Sequence, residues 1–534
     1  MAIPFSDPKF DTFTVQTNVG SVEELTRHLD TDLAARPVPG LDGYFDVTSF
    51  RKETLTPADA FALAREMVEK LPGVLHAEPC FELDSTNTPE AGEDAHFDLA
   101  ALLWERGPGV PDPLWATKFI ELEEVPAIYT GQGVRIAHPD SGFVRHGELQ
   151  RSFVDLASAR DFVDGDLDPD GPYRHVSHGV STASVIVSDS RTSPADHVRG
   201  VAPGATLVPL RVTKKHGLVP APVLFRAGAR RLRDAILHAV ETECDVISIS
   251  LGWLWNSGLR AAIGKALSKG MIVLAAAGNY IRTVVWPARY EEVIAIAGCN
   301  VCGNSWSGSC RGDDVDLAGP AQDVWRAYFD GSTEAVGPSS GTSYAVAMTA
   351  GVAALWLQKH GGRAKLVHDF GGPAVQELFR ATIRKHCGSR VADQASGFGE
   401  GTLNAKKVMD AALPTLRRPV QPAAFAPTSE ALLDDLLRAG PKSFAAESGR
   451  TLLDSFRGFE DELAFNLLTQ PSLRTSRWQE DVELAVNRHA KALFDRFGGL
   501  ERQPGPPSLW AALRALPEGT LSPMLKEKVE RVAP

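Results

Sequence analysis

The middle of the chain, residues 134–403, alternates short apolar runs with segments of helical spacing. Within each apolar run neighbouring positions are both hydrophobic, so a strand formed there would be buried on both of its faces. Such strands, separated by helices, are typical of an α/β fold in which a parallel sheet is sandwiched by helices. The predicted strands are VRIAHP, TLVPLRV, DVISISL, MIVLAAA and VIAIAG.

The start of the chain has a different pattern. Strand-like FTVQT, GYFDVTSF and GVLHAEP are separated by two predicted helices, the first opened by Ser21-x-x-Glu24 and the second by Thr56-Pro57. This order predicts a small α+β domain. The boundaries are 1–85 for the α+β domain, 86–113 for a connector rich in Pro, Gly and acidic residues, and 114–413 for the α/β domain.

After the α/β domain the pattern becomes mainly helical. Four prolines within residues 414–427 indicate a linker, and an apolar stripe of leucines near residue 435 begins a helical domain that spans 428–534. Further helical patterns lie at 452–468 and 478–497. We interpret these stripes as the core of a small bundle, and a regulatory or partner-binding role for this domain is a hypothesis only.

Composition and charge exclude several classes of function. The 534-residue chain is 43% hydrophobic and 23% charged, as globular proteins are, and its net charge of -12 disfavours binding to nucleic acid or anionic membranes. The first residues have neither a basic start nor an apolar signal segment, so we expect a cytoplasmic location. Six cysteines are too few for a disulfide scaffold, and Cys299, Cys302 and Cys310 lack a fourth metal ligand nearby, so we expect free thiols.

Four polar residues follow or close apolar segments of the α/β domain. Asp140 ends the first predicted strand, Asn279 ends the run LAAAGN, and His178 and Ser343 each begin a run of small and apolar residues. Taken alone, each has an ordinary interpretation, such as a helix N-cap for Ser343 or a turn for Asn279. Taken together, they supply the orienting carboxylate, the base, the oxyanion donor and the nucleophile of acyl transfer.

These residues stand in sequence blocks that resemble a known family. RIAHPDSG, HGVSTAS, RGVAPGATLVPLRV, VISISLG, LAAAGN and GTSYAVAMTAGVAAL follow one another over residues 115–403 as do the blocks of the subtilisin-like serine proteases, the subtilases or S8 peptidases. The order Asp, His, Ser is also that of subtilisin. The resemblance implies a subtilisin-like fold and a serine endopeptidase that works through an acyl-enzyme.

The resemblance also assigns roles to individual residues. Asp140, His178 and Ser343 would form the catalytic triad, and Asn279 would line the oxyanion hole. Trp253 and Trp255 either wall an apolar substrate pocket or fill a core, and the sequence leaves both readings open. The substrate-binding residues implied by the family are Ser250, Leu251, Gly252, Ala277 and Gly278.

The chain departs from the family pattern at several positions. The residue after His-Gly is Val180 instead of Thr, the next is Ser181 instead of His, and Ala347 stands where Pro is usual. None of these replaces a residue of the predicted triad. His138, two positions before Asp140, is a further oddity that would compete for a hydrogen bond of the Asp140 carboxylate.

An acidic stretch before His178 is a candidate calcium-binding loop. DFVDGDLDPDGPY has aspartates at alternate positions followed by glycine, which is the beginning of a calcium-binding loop. Position twelve counted from Asp166 is Ser177 and not the glutamate of an EF-hand. We expect no required cofactor, and structural calcium remains an alternative. Its ligands would be Asp164, Asp166, Asp168 and Asp170.

The resemblance extends to the first domain, whose α+β order is similar to that of subtilase propeptides, which assist folding and then block the cleft. Cleavage would fall between residues 81 and 90, or the domain stays attached as an inhibitor or docking module. The leading prediction is therefore a protease held in check by its N-terminal domain, with protein or peptide substrates. The alternatives are a dedicated intracellular processing protease for one partner protein and an inert protease-like binding module.

Overall fold

A computed structural model describes residues 12–80, 112–415, 454–469 and 509–532, with Leu433 and Leu437. Within these ranges it leaves out residues 19–20, 28, 31, 51–54, 172, 190–197, 214–227, 253–254, 280–282, 390 and 392–394, and the side chains of 173–176, 468–469 and 532. The chain divides into two compact units. The α/β unit comprises Arg106–Leu254 and Leu259–Ala424, and the terminal unit comprises Met1–Glu105, Trp255–Gly258 and Phe425–Pro534.

The N-terminal part of the terminal unit is a four-stranded antiparallel sheet with two helices. Its elements are β1 (Thr12–Thr17), α1 (Val22–Thr26), β2 (Leu33–Pro37), β3 (Tyr44–Ser49), α2 (Pro57–Lys70) and β4 (Val74–Pro79), with strand order β2-β3-β1-β4. Helix α2 begins at Pro57 because Thr56 and Asp59 form a reciprocal capping box. Phe61 and Met67 on this helix are buried, as are Phe13 and Val15 on β1.

The α/β unit is built around an eight-stranded sheet whose strand pairs are all parallel. The strands are β5 (Arg135–Asp140), β6 (Phe153–Val154), β7 (Arg160–Asp161), β8 (Thr206–Arg211), β9 (Val246–Ile249), β10 (Ile272–Ala276), β11 (Ile294–Cys299) and β12 (Leu317–Pro320). They pair in the order β12-β11-β10-β9-β5-β8-β6, and β7 also pairs with β8. Five of these strands coincide with the five apolar runs of the sequence.

Helices and a hairpin complete this part of the chain. The helices are α3 (Trp115–Phe119), α4 (Tyr173–Val187), α5 (Ala229–Glu241), α6 (Ser257–Ser268), α7 (Thr342–Lys359), α8 (Arg363–Phe370), α9 (Gly372–Lys385) and α10 (Ala405–Asp410), and the hairpin is β13 (Val324–Asp330) with β14 (Thr333–Ser339). Helix α7 is apolar on all sides and its residues 342–357 are all buried. A helix of this kind can only lie inside a core. The predicted α/β fold is confirmed.

The C-terminal part of the terminal unit is helical where it is described. Its elements are α11 (Glu460–Thr469), α12 (Leu509–Arg514) and α13 (Pro523–Val532). The linker beyond residue 415, the helical pattern at 478–497, the predicted cleavage region and Trp253 lie outside the described residues. None of the described helices is long and apolar enough to cross a membrane.

Candidate active site

Asp140 occupies the last position of β5, at the carboxyl end of a parallel strand, where α/β folds gather their functional side chains. The residue is 1% exposed. Its Oδ1 accepts a hydrogen bond from the Ser141 backbone N–H at 2.6 Å and lies 2.7 Å from His178 Nδ1. Because an ionised carboxylate can only accept, this contact makes Nδ1 the protonated nitrogen of a neutral His178 ring.

His178 lies on α4, which approaches the turn after β5 closely at the next residue, Gly179. A Cβ on Gly179 would lie 2.0 Å from Gly142 O, and the Gly179 N–H donates to Ser141 Oγ at 3.1 Å. A larger residue here would push α4, and with it the imidazole, away from Asp140. The glycine after His178 is therefore required by close packing.

Ser343 is the second residue of α7, and its Oγ lies 3.2 Å from His178 Nε2. The imidazole thus joins the buried carboxylate to this hydroxyl. Helix α7 begins at Thr342, one residue earlier than the sequence indicates. The Ser343 N–H therefore belongs to the first helical turn, where the helix itself offers no acceptor and the helix dipole favours negative charge.

Asn279 follows β10, and its side chain is tied to the beginning of α7. Its Oδ1 accepts hydrogen bonds from the Thr342 N–H at 3.0 Å and from Thr342 Oγ1 at 2.8 Å. Its Nδ2 lies 3.7 Å from the position that a Cβ on Gly341 would occupy. With its oxygen held by α7, the side chain has its NH₂ group as the donor available to a ligand.

Comparisons with known proteins identify the family of this chain. A sequence profile described as the Subtilase family matches residues 131–399, half of the chain. The chain belongs to the subtilase family. Thermitase of Thermoactinomyces vulgaris is 32% identical over 293 residues, which cover 53% of this chain and 90% of thermitase. Subtilisin E of Bacillus subtilis is 31% identical over 240 residues, which cover 43% of this chain and 57% of subtilisin E.

A similar solved structure is that of fervidolysin from Fervidobacterium pennivorans, described as a keratinolytic enzyme related to subtilisin. It superposes with a TM-score of 0.56 at 18% identity, covering 78% of this chain and 63% of that chain. At this identity the likeness shows the fold alone, and it confirms the predicted subtilisin-like architecture. Membership of the family makes this subtilase a serine-type endopeptidase, as predicted.

The second oxygen of Asp140 faces Thr182 and His138. His138 Nε2 lies 2.8 Å from Thr182 Oγ1, and Thr182 Oγ1 lies 3.2 Å from Asp140 Oδ2. His138 itself is 3.7 Å from Oδ2, so it does not compete with His178 for Oδ1. Burial lowers the pKa of His138, the charge of Asp140 opposes this shift and His178 adds to it, so the ring is neutral near pH 7.

Sequence reasoning missed Thr182. It stands four residues after His178 on α4, a spacing that places both side chains on one face of a helix. This spacing, together with the unusual His138, was the signal in the sequence that could have indicated a contact on the far side of Asp140.

The other departures from the family pattern serve packing. Ser181 Oγ donates to Ala327 O at 2.7 Å and Ser184 Oγ accepts from the Ala327 N–H at 3.0 Å, so α4 is bound to β13. Val180 and Ala347 are fully buried. None of the three departures removes a polar contact of Asp140, His178 or Ser343.

The residues predicted to bind substrate lie after β9 and β10. Ser250 Oγ donates to Ser343 O at 3.4 Å, which brings the end of β9 next to α7. Leu251 is buried and Gly252 is partly exposed. Ala277 and Gly278 follow β10 directly, and Gly278 has φ +105°, a conformation that glycine adopts without strain.

The four aspartates of the predicted calcium loop are not arranged around a common point in the structure. Asp164 Oδ2 accepts from Arg211 Nη1 at 2.6 Å, and the other three accept hydrogen bonds from backbone N–H groups of their own turn. Within the described ranges no group of three or more His, Cys, Asp or Glu side chains is arranged to hold a metal ion. The sequence spacing predicted that Asp164 would be a calcium ligand. In the structure its carboxylate instead forms an ion pair with Arg211.

Proposed function

We propose that this subtilase hydrolyses peptide bonds of protein substrates with Ser343 as nucleophile, His178 as general base and Asp140 as the orienting carboxylate. The observation that carries the proposal is the continuous chain of hydrogen-bond distances, 2.7 Å from Asp140 Oδ1 to His178 Nδ1 and 3.2 Å from His178 Nε2 to Ser343 Oγ. A nucleophile, a base and an orienting group in this geometry are the signature of covalent acyl transfer.

The reaction begins when Ser343 Oγ attacks the peptide carbonyl carbon and its proton moves to His178 Nε2. Asp140 stabilises the resulting imidazolium. The carbonyl oxygen becomes an oxyanion, which accepts hydrogen bonds from Asn279 Nδ2 and from the Ser343 N–H. These donors are fixed before the reaction by the contacts at the beginning of α7, so little reorganisation is needed when the charge forms.

Collapse of the tetrahedral intermediate breaks the C–N bond. His178 gives its proton to the leaving amine, and the acyl group remains as an ester on Ser343 Oγ. A water molecule then attacks this ester while His178 takes its proton, and a second tetrahedral intermediate breaks down to release the carboxylic acid as His178 returns that proton to Ser343 Oγ. The two half-reactions use the same base and the same oxyanion donors.

We further propose that residues 250–252 pair with the backbone of an extended substrate, as a strand added beside β9, and that Ala277 and Gly278 line the other side. Backbone pairing recognises any extended peptide, so it suits protein substrates in general. The buried Leu251 and the small Gly252 support this assignment. The test is a scan of peptide lengths, in which kcat/KM should rise as residues are added on the acyl side.

The N-terminal α+β domain is proposed to regulate the protease. Support comes from its antiparallel β1-α1-β2-β3-α2-β4 arrangement and from a contact within the terminal unit, where Glu78 Oε1 accepts hydrogen bonds from Ser257 N at 2.7 Å and Ser257 Oγ at 2.8 Å. Glu78 thus binds a residue that the chain after β9 contributes to the terminal unit.

A fluorophosphonate probe tests the proposed nucleophile. Wild type should become labelled, Ser343→Ala should not, and Ser268→Ala, which changes an exposed serine on α6, should be labelled like wild type. If wild type resists labelling even after limited proteolysis of the N-terminal domain, the proposed mechanism is wrong and an inert binding module is favoured. Digestion of many unrelated denatured proteins would exclude a processing protease dedicated to one partner.

Intact mass of active wild type tests the regulation. Loss of an N-terminal fragment, absent in Ser343→Ala, would indicate autoprocessing, whereas an active protein of full-length mass would contradict it. Calcium is tested separately. A melting temperature that falls on addition of EDTA and returns with calcium would show a metal site after all.

A further inference from the structure

The C-terminal helices have a small apolar core of their own. Phe456, Phe459, Leu463 and Leu467 are buried in it, and the remaining members are Leu433, Leu437, Leu509, Trp510, Ala512, Leu513, Leu525 and Val529. Leu463 and Leu467 stand four residues apart on one face of α11. This face accounts for the packing of the C-terminal helices among themselves.

Another face of α11 contacts the N-terminal domain. Glu462 Oε2 lies 2.5 Å from Arg65 Nη2 of α2, and the ring of Phe465 lies 5.7 Å from the ring of Phe61, also on α2. Phe61 and Phe465 are 4% and 3% exposed. All four residues lie in the terminal unit, although nearly four hundred residues of sequence separate the two helices.

The charged centre of this contact is completed by two further residues. Glu462 is fully buried and also accepts hydrogen bonds from Ser522 N at 2.5 Å and from Ser522 Oγ at 2.8 Å. The guanidinium of Arg65 also donates to Ser522 Oγ and stacks over the ring of Phe459 at 4.5 Å. A buried carboxylate without a partner is strongly unfavourable, so α11 needs the cation that α2 provides.

We propose that the binding partner of the C-terminal helices is the N-terminal domain of the same chain, which they hold through α2 by the Arg65–Glu462–Ser522 contact and the Phe61–Phe465 pair. The two ends of the chain thus form one module. This module stays together when the peptide chain between it and the protease is cut, so the N-terminal domain is retained by the C-terminal helices. The inference does not depend on peptidase activity.

A cut in the linker tests the proposal in the full chain. A recognition sequence for an unrelated specific protease is inserted within residues 414–427 of the Ser343→Ala protein, which carries a tag at its C-terminal end. After cleavage, the tagged C-terminal fragment should retain the rest of the chain on affinity resin. Arg65→Met should weaken this retention about 100-fold, because it leaves Glu462 buried without a cation.

Matched variants separate this contact from general effects. Lys70→Met removes a cation from the same helix, where its partner is the exposed Glu66, and retention should be unchanged. Arg65→Lys keeps the charge but loses the planar donors and should weaken retention less than Arg65→Met. The proposal is overturned if the wild-type fragments separate, or if Arg65→Met is retained like Lys70→Met. Circular dichroism of each uncut variant checks folding.

A second inference concerns the triad and rests on the proposed function. Thr182 Oγ1 has three acceptors in reach, Asp140 Oδ2 at 3.2 Å and the carbonyls of His178 at 3.1 Å and Gly179 at 3.3 Å. Hydrogen bonds to a charged acceptor are the stronger ones, which favours the carboxylate. His138 Nε2 lies 2.8 Å from the same oxygen, and with its proton on Nε2 the ring donates to the hydroxyl and polarises it toward Asp140.

We infer that Thr182 and His138 are positioning residues that hold the second oxygen of Asp140, so that the first oxygen stays aimed at His178. The hydrogen bonds run from His138 through Thr182 to Asp140, on the side of the carboxylate away from Ser343. All three side chains are almost completely buried, so water does not replace a lost donor.

Two substitutions of nearly equal size test this inference. Thr182→Val keeps the shape and removes the hydroxyl, and kcat should fall about tenfold with little change in KM. Thr182→Ser restores the hydroxyl and should recover most of kcat. Equal kcat in wild type and Thr182→Val, or equal losses in both variants, would overturn the positioning role.

The rate of labelling by a fluorophosphonate distinguishes failure of the positioning role from failure of the proposed function. If wild type reacts with a fluorophosphonate at Ser343 and Thr182→Val reacts equally fast, this inference fails while the proposed function stands. If wild type does not react, the proposed function fails first. A purely structural role for Thr182 would lower the melting temperature without changing the kcat of the folded protein.

Discussion

The α/β unit and the terminal unit of this subtilase differ in how far the contacts between their side chains can be predicted from sequence motifs. In the α/β unit, the candidate catalytic side chains each stand in a short block at the end of a strand or the beginning of a helix. In the terminal unit, the contact between Arg65 and Glu462 joins segments that carry no motif. Candidate catalytic residues thus lie in recognisable sequence motifs. Residues that join distant helices cannot be distinguished in the sequence from ordinary exposed charged residues.

The largest expected effect is confined to the α/β unit. His178→Ala removes the proposed base, and kcat should fall by about 10⁶-fold, since loss of one member of such a triad removes most of its effect. Peptide hydrolysis under single-turnover conditions measures the loss.

The same variant should leave the terminal unit intact. Retention of the C-terminal fragment after linker cleavage should equal that of Ser343→Ala, because Arg65 and Glu462 are unchanged. A His178→Ala protein that keeps more than a hundredth of the wild-type kcat would contradict the proposed role of the imidazole.

The next effect concerns the oxyanion donor. Asn279→Ala should lower kcat by roughly 10²- to 10³-fold with KM little changed, because the donor acts on a charge that exists only in the transition state. Asn279 Oδ1 also binds Thr342, so a matched control is needed. Thr342→Val removes the side-chain part of that contact and should cost less than tenfold; an equal loss in both variants would assign Asn279 a structural role alone.

Two helix glycines give a smaller effect and test how tightly the site is built. Gly179→Ala should destabilise the fold by about 3 kcal/mol, since its Cβ would lie 2.0 Å from Gly142 O. Gly264→Ala on α6 meets nothing within 4 Å and should stabilise by about 0.5 to 1 kcal/mol. Denaturant unfolding of both variants in the Ser343→Ala background measures the difference. Equal stabilities of the two variants would show that the turn after β5 moves to accommodate the added methyl group on α4.

The fold and the candidate site were predictable from the sequence to different depths. Continuous apolar runs revealed the strands of the parallel sheet because strands buried on both faces need them. The order of the blocks identified the family, and the structure brings Asp140, His178 and Ser343 within hydrogen-bonding distance. Their catalytic roles remain predictions.

Other features could not be read from the pattern, for physical reasons. The partner of Asp164 is Arg211, a residue 47 positions away in sequence, so local spacing suggested calcium where the structure has an ion pair. The sequence around Thr182 indicates only a helical threonine. Its contacts with His138 and Asp140 arise because α4 packs against the end of β5. Contacts of this kind depend on which elements become neighbours, and that is decided by the whole fold.

The smallest expected effect concerns pH, on which the stability of the fold and the catalytic activity should depend for different reasons. At the end of α7 opposite Ser343, burial, assisted by Lys359, lowers the pKa of His360 to about 4. Because the pKa in the folded protein lies below the ordinary value of 6.5, the unfolded chain takes up a proton first, and stability falls as the pH drops from about 6.5 to about 4. Activity should fall with acid for a different reason, because a general base acts only in its unprotonated form.

His360→Gln cannot take up this proton, so in the Ser343→Ala background its melting temperature should fall less between pH 7 and pH 4, by roughly 2 °C. The control is His368→Gln on α8, which replaces an exposed histidine away from the buried end of α7. The acid limb of kcat/KM in otherwise wild-type protein should not move in His360→Gln, because the substitution lies at the far end of α7. A shift of that limb would mean that the two ends of the helix are coupled.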